Sequence, residues 1–167
     1  MNTPTLIGSL IMAAVLAVLI GFLIRQMLRG WLHRAQRQAE LIGALPALPD
    51  TVGPALIGPT KGLYVGSTLV PHWNDRIAAG GLGFRAKGAL TRYPEGIMVQ
   101  RIGSGPIWIP DESIVVIRTE RAMTGKAMTH DGILAIRWKL PSGTEIDTGF
   151  RADDRNENMK WVREEAA

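Results

Sequence analysis

The sequence predicts one N-terminal transmembrane α-helix followed by a mainly-β domain of seven strands that a C-terminal helix closes. Three observations predict this class. Residues 6–24, LIGSLIMAAVLAVLIGFLI, are uncharged and almost wholly apolar. Past Lys61, short β-branched runs alternate with proline- and glycine-bearing turn signals. A single amphipathic segment then follows the last of these runs.

The apolar run comes first. Nineteen helical residues at about 1.5 Å each span roughly 28 Å, the hydrocarbon thickness of a bilayer. A cleaved signal peptide would carry a basic leader and a shorter apolar stretch. Here the leading MNTPT has no basic side chain and the run ends directly in Arg25, so the segment reads as a permanent anchor. Arg25, Arg29, Arg34 and Arg37 lie on its C-terminal side with no acidic residue before Glu40. Positive charge beside a span stays cytoplasmic, which predicts an N-terminus outside, a cytoplasmic C-terminal domain and a plasma-membrane location. Residues 25–42 read as a basic juxtamembrane helix lying along the membrane. Arg25, Arg29, Arg34, Arg37 and Trp31 are its expected membrane-surface contacts, the alternative being that the arginines only set topology and stay solvated.

Residues 43–60 change character. Pro46, Pro49, Pro54 and Pro59 disfavour helix and predict an extended, semi-rigid linker. The domain then runs over residues 61–167. Its expected strands are Gly62–Leu69, Arg85–Tyr93, Ile97–Ile102, Pro106–Ile109, Ser113–Thr119, Ile133–Leu140 and Thr144–Thr148. Pro94-Glu95-Gly96, Gly103-Ser104-Gly105 and Pro141-Ser142-Gly143 are the turn signals. Asp153–Glu165 reads as the closing helix, with acidic residues at its positive end and an apolar stripe of Met159, Val162 and Ala166. Trp138 and Trp161 read as core. Trp108 reads as core too, the alternative being an exposed interface anchor. Trp73 is the fourth tryptophan of this part.

Charge and composition limit the chemistry. Residues 61–167 carry 15 basic and 13 acidic groups, a near balance that argues against nucleic acid, and no aromatic-basic strand signature occurs. The absence of cysteine removes disulfides and thiol chemistry and fits a reducing compartment. His33, His72 and His130 have no metal-ligand spacing. Asp75-Arg76 reads as a local pair or turn, and Asp111-Glu112 as a turn before the fifth strand. With no phosphate loop or nucleophile elbow, the chain reads as a non-enzyme with no catalytic residue, cofactor or metal.

Gly81-Leu82-Gly83-Phe84 spells the carboxylate-binding loop of PDZ domains. A PDZ groove needs a helix before its last strand, whereas the helix here follows every strand. The tetrapeptide therefore reads as the end of a loop between strands one and two, with Phe84 entering the core beside Leu82.

Seven strands and a closing helix resemble the pleckstrin-homology-like (PH-like) fold, a partly open barrel of curved antiparallel sheets plugged by its C-terminal helix. The stretches LYVGSTL, WNDRIAAGGLGFRAKGAL, IWIPDESI, AMTGKA and DTGFRADD are similar to a family of small actinobacterial single-pass membrane proteins with a cytoplasmic PH-like domain. Its members are labelled membrane, export or transporter proteins, so the resemblance implies an architecture and not a reaction. It implies a scaffold that docks a protein partner at the membrane. The alternatives are a binder of anionic lipid headgroups, or an accessory subunit of a transport or export complex. PH domains that bind headgroups use basic residues on their first two strands; here Arg85, Lys87 and Arg92 match in part, with Lys61 alone on strand one. Arg118, Arg121 and Lys126 form a second basic set around the loop after strand five. The plainer reading of each set, and the one favoured, is a solvated sheet face.

Overall fold

The computed structural model describes residues 2–127 and 132–165, with the side chains of 126, 127 and 163–165 outside that description. Helix α1 runs unbroken over Thr3–Ile42. It is long and apolar enough to cross a membrane, and its apolar stretch is unburied by the rest of the chain. The basic segment is the continuation of the same helix. The chain divides into two compact units, one ending at Arg37 and one running from Gln38 to Ala167.

The second unit therefore begins inside the last turn of α1. Gly43, at φ +61°, ends the helix by donating its N–H to the Ala39 carbonyl, a left-handed cap that suits glycine. Gln38 and Ile42 are buried. Gln38 accepts from the Ala78 N–H through Oε1 (2.7 Å), and Ile42 joins the main core. The Leu41 carbonyl accepts from the hydroxyls of Ser142 (2.7 Å) and Thr144 (2.8 Å).

Among the described residues nine strands follow: β1 (Ile57–Leu69), β2 (Ala86–Tyr93), β3 (Gly96–Arg101), β4 (Ile107–Pro110), β5 (Ile114–Glu120), β6 (Ala122–Met123), β7 (Lys126–Ala127), β8 (Ile133–Lys139) and β9 (Glu145–Ala152). Helix α2 (Arg155–Glu165) comes last. Seven strands form one antiparallel sheet in the order β4-β3-β2-β1-β9-β8-β5. The long β1 serves both halves: residues from Ile57 to Tyr64 pair with β2, and those from Gly62 to Leu69 pair with β9. A register shift between Tyr64 and Gly66 bends it between the two.

Three expectations need correction here. The strand starts at Ile57, inside the segment read as linker. Its pairing passes from Ile57–Arg92 to Thr60–Leu90, and this irregularity leaves Pro59 outside the ladder it could not donate to. The proline-rich stretch before it lies against the domain: Leu45 packs on the core, and the Gly53 N–H meets the Glu95 carboxylate at 3.0 Å. In α2, Met159 is exposed, while Asn158 and Trp161 are buried and Val162 packs on the core, so the apolar stripe is rotated by one residue. Ala166 lies outside the described residues. Asp154 precedes the helix as its cap, accepting from the Asn156 N–H at 2.9 Å.

The main core gathers Trp138, Trp161, Tyr64 and Phe150, and Trp108 is buried beside Tyr93. A smaller cluster of Val65, Met123, Ile133 and Ala135 lies under the β6–β7 hairpin. That hairpin turns at Thr124 (φ 54°) and Gly125 (φ 77°), the paired positive dihedrals of a two-residue hairpin turn. Thr124 is held there by its N–H on the Trp73 carbonyl (2.7 Å) and its hydroxyl on the Val65 carbonyl (3.3 Å).

Candidate functional site

The loop between β1 and β2 carries the Gly81-Leu82-Gly83-Phe84 motif, and its backbone is tied to the barrel through consecutive carbonyls. Arg101 Nη1 donates to Gly81 (2.7 Å) and Arg76 Nη1 to Gly83 (2.9 Å). Leu82 accepts both the Tyr64 hydroxyl (2.5 Å) and the Ser67 N–H (3.0 Å). A side chain at Gly83 would collide with the Ile77 carbonyl oxygen, so glycine is required by close backbone approach.

Chemistry alone orients the protons behind Leu82. Its carbonyl can only accept, so Tyr64 donates to it and must accept from Ser67 (2.9 Å). Ser67 then accepts from Thr148 (2.9 Å), whose oxygen accepts the Trp138 indole N–H (2.9 Å). Every link is satisfied, as a buried polar chain requires. Burial pushes the Tyr64 phenol up to about 12, against the smaller opposing effects of Ser67, Arg101 and Arg76. The Arg101 guanidinium lies 4.9 Å above the Tyr64 ring.

Leu82 is buried as expected, but Phe84 is 61% exposed. It stands two residues before β2, where no sheet neighbour covers it. Strand β2 begins at Ala86, one residue later than expected, so Arg85 lies in the loop. Arg85 and Lys87 are both exposed and have no partner among the described residues. Lys87 shares a cavity of about 470 Å³ with Lys61, Gln100, Arg101, Ile102 and Asp153. Arg92 does not join them. It lies five residues further along β2, on the opposite face by strand parity, and bonds Asp111 at 2.7 Å.

The second basic set lines a different groove, of about 460 Å³, with Trp73, Arg118, Arg121, Met123, Arg137 and Asp147 on its walls. Arg118 is committed internally: it meets Asp147 at 2.8 Å and Glu120 at 2.6 Å. Arg137 meets the same Asp147 oxygen at 2.9 Å. Burial alone would raise the Asp147 pKa, but the hydrogen bonds from Arg137 and Arg118 outweigh it and hold the carboxyl below its ordinary value. Burial likewise opposes the Arg118 charge, and Asp147 and Glu120 outweigh it, so its pKa is raised. Arg121 is exposed on the groove's rim, and the Lys126 side chain lies outside the described residues. This cluster is a clamp between β5, β8 and β9, and two of its three key residues, Arg137 and Asp147, gave no signal in the sequence.

In α1, Arg25, Arg29, Arg34, Arg37, Trp31 and His33 are exposed. Arg76 of the Asp75-Arg76 pair uses its guanidinium on the carbonyls of Gly83 and Thr124. Asp111 and Glu112 open the short 3₁₀ turn Asp111–Ser113 ahead of β5. Among the described residues no cluster of histidine and carboxylate side chains forms a metal site, and His130 lies outside them.

Compared with known proteins, residues 42–166 match the family model described as bacterial PH domain-like. No curated protein matches the chain.

Proposed function

The chain belongs to the bacterial PH domain-like family, and we propose that it is a membrane-anchored, non-enzymatic scaffold whose domain docks a protein partner at the cytoplasmic face. The observation that carries this reading is the place of β5 at the end of the sheet. The sheet order ends at β5, whose one strand partner among the described residues is β8, with α2 also packed near the strand. Its seven residues include Val115, which is 52% exposed at the register shift between Ile114 and Val116. A β-branched edge of that length is a template for strand addition. The opposite edge, β4, has four residues and ends in Pro110, which blunts it.

The test places a photo-crosslinking residue at Val115 in the full-length chain in its native membrane, with Lys139 as the control position. We expect one recurring protein adduct at 115, absent at 139, and lost with Ile114→Pro. Adducts to lipid alone, or none, would refute the edge as the docking surface.

A second reading is favoured by one specific observation: Arg85 and Lys87 have no partner among the described residues, and Lys87 lines a cavity with Lys61. They suit an anionic lipid headgroup, for about 1 kcal/mol per charge. The juxtamembrane arginines of α1 support the N-outside orientation. An N-terminal tag reached only from the cytoplasm would refute that orientation. A role in transport would need spans supplied by other subunits, since a single helix without intramembrane charge cannot line a pathway.

A further inference from the structure

Within the unit from Gln38 onward, the two most exposed large apolar side chains described are Ile102 (74%) and Phe84 (61%). Single exposed apolar residues are ordinary on any surface. These two are different because the fold brings their loops together and fixes them. The Ile102 N–H donates to the Lys87 carbonyl (2.8 Å), and Arg101 bridges the Gly81 carbonyl (2.7 Å) and the Gly105 carbonyl (2.8 Å). Phe84 follows three consecutive anchored carbonyls, so a loose loop is not the reason for its exposure.

The charges next to the two apolar residues in the chain are basic, Arg85 after Phe84 and Arg101 before Ile102. Lys87 and Ile102 line one cavity with Arg101 and Lys61, and Asp153, whose N–H bonds the Lys61 carbonyl (3.0 Å), lines it too. Between Arg76 and Pro110 the sole acidic residue is Glu95, and it sits at the opposite end of β2 and β3, beside the Tyr93–Gly96 pair. Apolar tips with cations beside them suit an interface where hydrocarbon lies directly beneath negative charge. The chain's own apolar helix supplies such a surface at high effective concentration.

We propose that Phe84 and Ile102 form a wedge that inserts below the headgroups of an anionic bilayer, with Arg85 and Lys87 seated among those headgroups. This rests on the headgroup reading above and adds penetration to it. Insertion would orient the domain on the membrane and leave the β5 edge to a protein partner.

The chain has no cysteine, so a single introduced thiol can be labelled uniquely. The full-length protein, carrying Ile102→Cys or Phe84→Cys with a polarity-sensitive dye, is placed in nanodiscs of phosphatidylcholine with or without phosphatidylglycerol. Lys139→Cys serves as the control. Quenchers are attached either to the lipid headgroup or to the middle of the acyl chain. We expect acyl-chain quenching at 84 and 102 in anionic discs and none at 139. Arg85→Ala with Lys87→Ala should reduce the docking equilibrium about 25-fold, roughly fivefold per cation. Phe84→Ser in the Ile102 background should reduce it about tenfold. Quenching by the headgroup probe alone would overturn the wedge and leave the headgroup reading standing. Quenching by neither would overturn both. Acyl-chain quenching that is equal in neutral discs and indifferent to the alanine pair would overturn the proposal, which requires apolar and basic residues to act together.

Discussion

Replacing Asp147 with asparagine tests the central electrostatic assignment. Asp147 is the shared acceptor of Arg118 and Arg137, its side chain 10% exposed and theirs 29% each. The substitution keeps the shape, deletes the charge and leaves two guanidiniums facing one another. Breaking a fully buried pair costs about 3–5 kcal/mol, and an exposed one about 0–1 kcal/mol. The partial exposure of the arginines places this site between those limits, at about 2–3 kcal/mol. Glu120 still holds Arg118, so the penalty falls mainly on Arg137. Urea unfolding of the full chain in detergent, followed by tryptophan fluorescence, should show the midpoint falling by about 1 M or more. The pH dependence gives a second readout. Because the folded pKa of Asp147 is depressed, its contribution is complete above the unfolded value of about 3.9. As pH falls below that, the unfolded chain binds the proton first, and the advantage disappears through the folded pKa. The difference between wild type and Asp147→Asn should therefore be constant at neutral pH and shrink only in acid. A midpoint shift below about 0.3 M, or a difference that varies between pH 5 and 8, would refute the clamp.

Other perturbations address the loop and the helix junction. Tyr64→Phe leaves Ser67 without its acceptor and should cost about 1–2 kcal/mol. Since burial pushes the folded phenol up to about 12, wild-type stability should also fall between pH 10 and 12, by a further 2–3 kcal/mol or so. Tyr64→Phe should lack that component in a paired alkaline titration. Gly83→Ala should displace the loop from the Ile77 carbonyl and cost about 1–3 kcal/mol, read as faster amide exchange at Ser67 than at Ile136. Gln38→Ala should strand the Ala78 N–H at about 1–3 kcal/mol; an unchanged melting temperature would remove Gln38 from the domain's framework.

Most of the fold was legible because it is written in local chemistry. Turn signals such as Pro94-Glu95-Gly96 and β-branched runs such as Ile114–Ile117 act within a few residues, and each of the seven expected strands has its counterpart in the sheet. The misses have physical causes of another kind. The start of β1 was hidden because Gly58-Pro59 reads as punctuation unless the register shift that bypasses it is known. The β6–β7 hairpin is two residues per strand and holds through Met123 burying itself against Val65 and Ala135, contacts remote in sequence. The clamp joins positions 118, 137 and 147, which become neighbours only by strand register. Phe84 was misplaced because an aromatic beside a strand is assigned to the core by default, and nothing local marks a site kept open. The sequence did identify Arg85 and Lys87 as worth testing, but grouped them with Arg92, which strand parity separates.

The shared last turn of α1 also decides where this protein can be cut. Ile42 fills core, Leu41 binds two hydroxyls across the β8–β9 turn and Gln38 secures Ala78. A soluble fragment beginning at Lys61 would lose all three along with the first residues of β1, and we expect it to aggregate. One beginning a few residues before Gln38 should keep its core closed. Limited proteolysis that releases a stable product should therefore cleave within α1, and the proline-rich stretch, despite its composition, should resist.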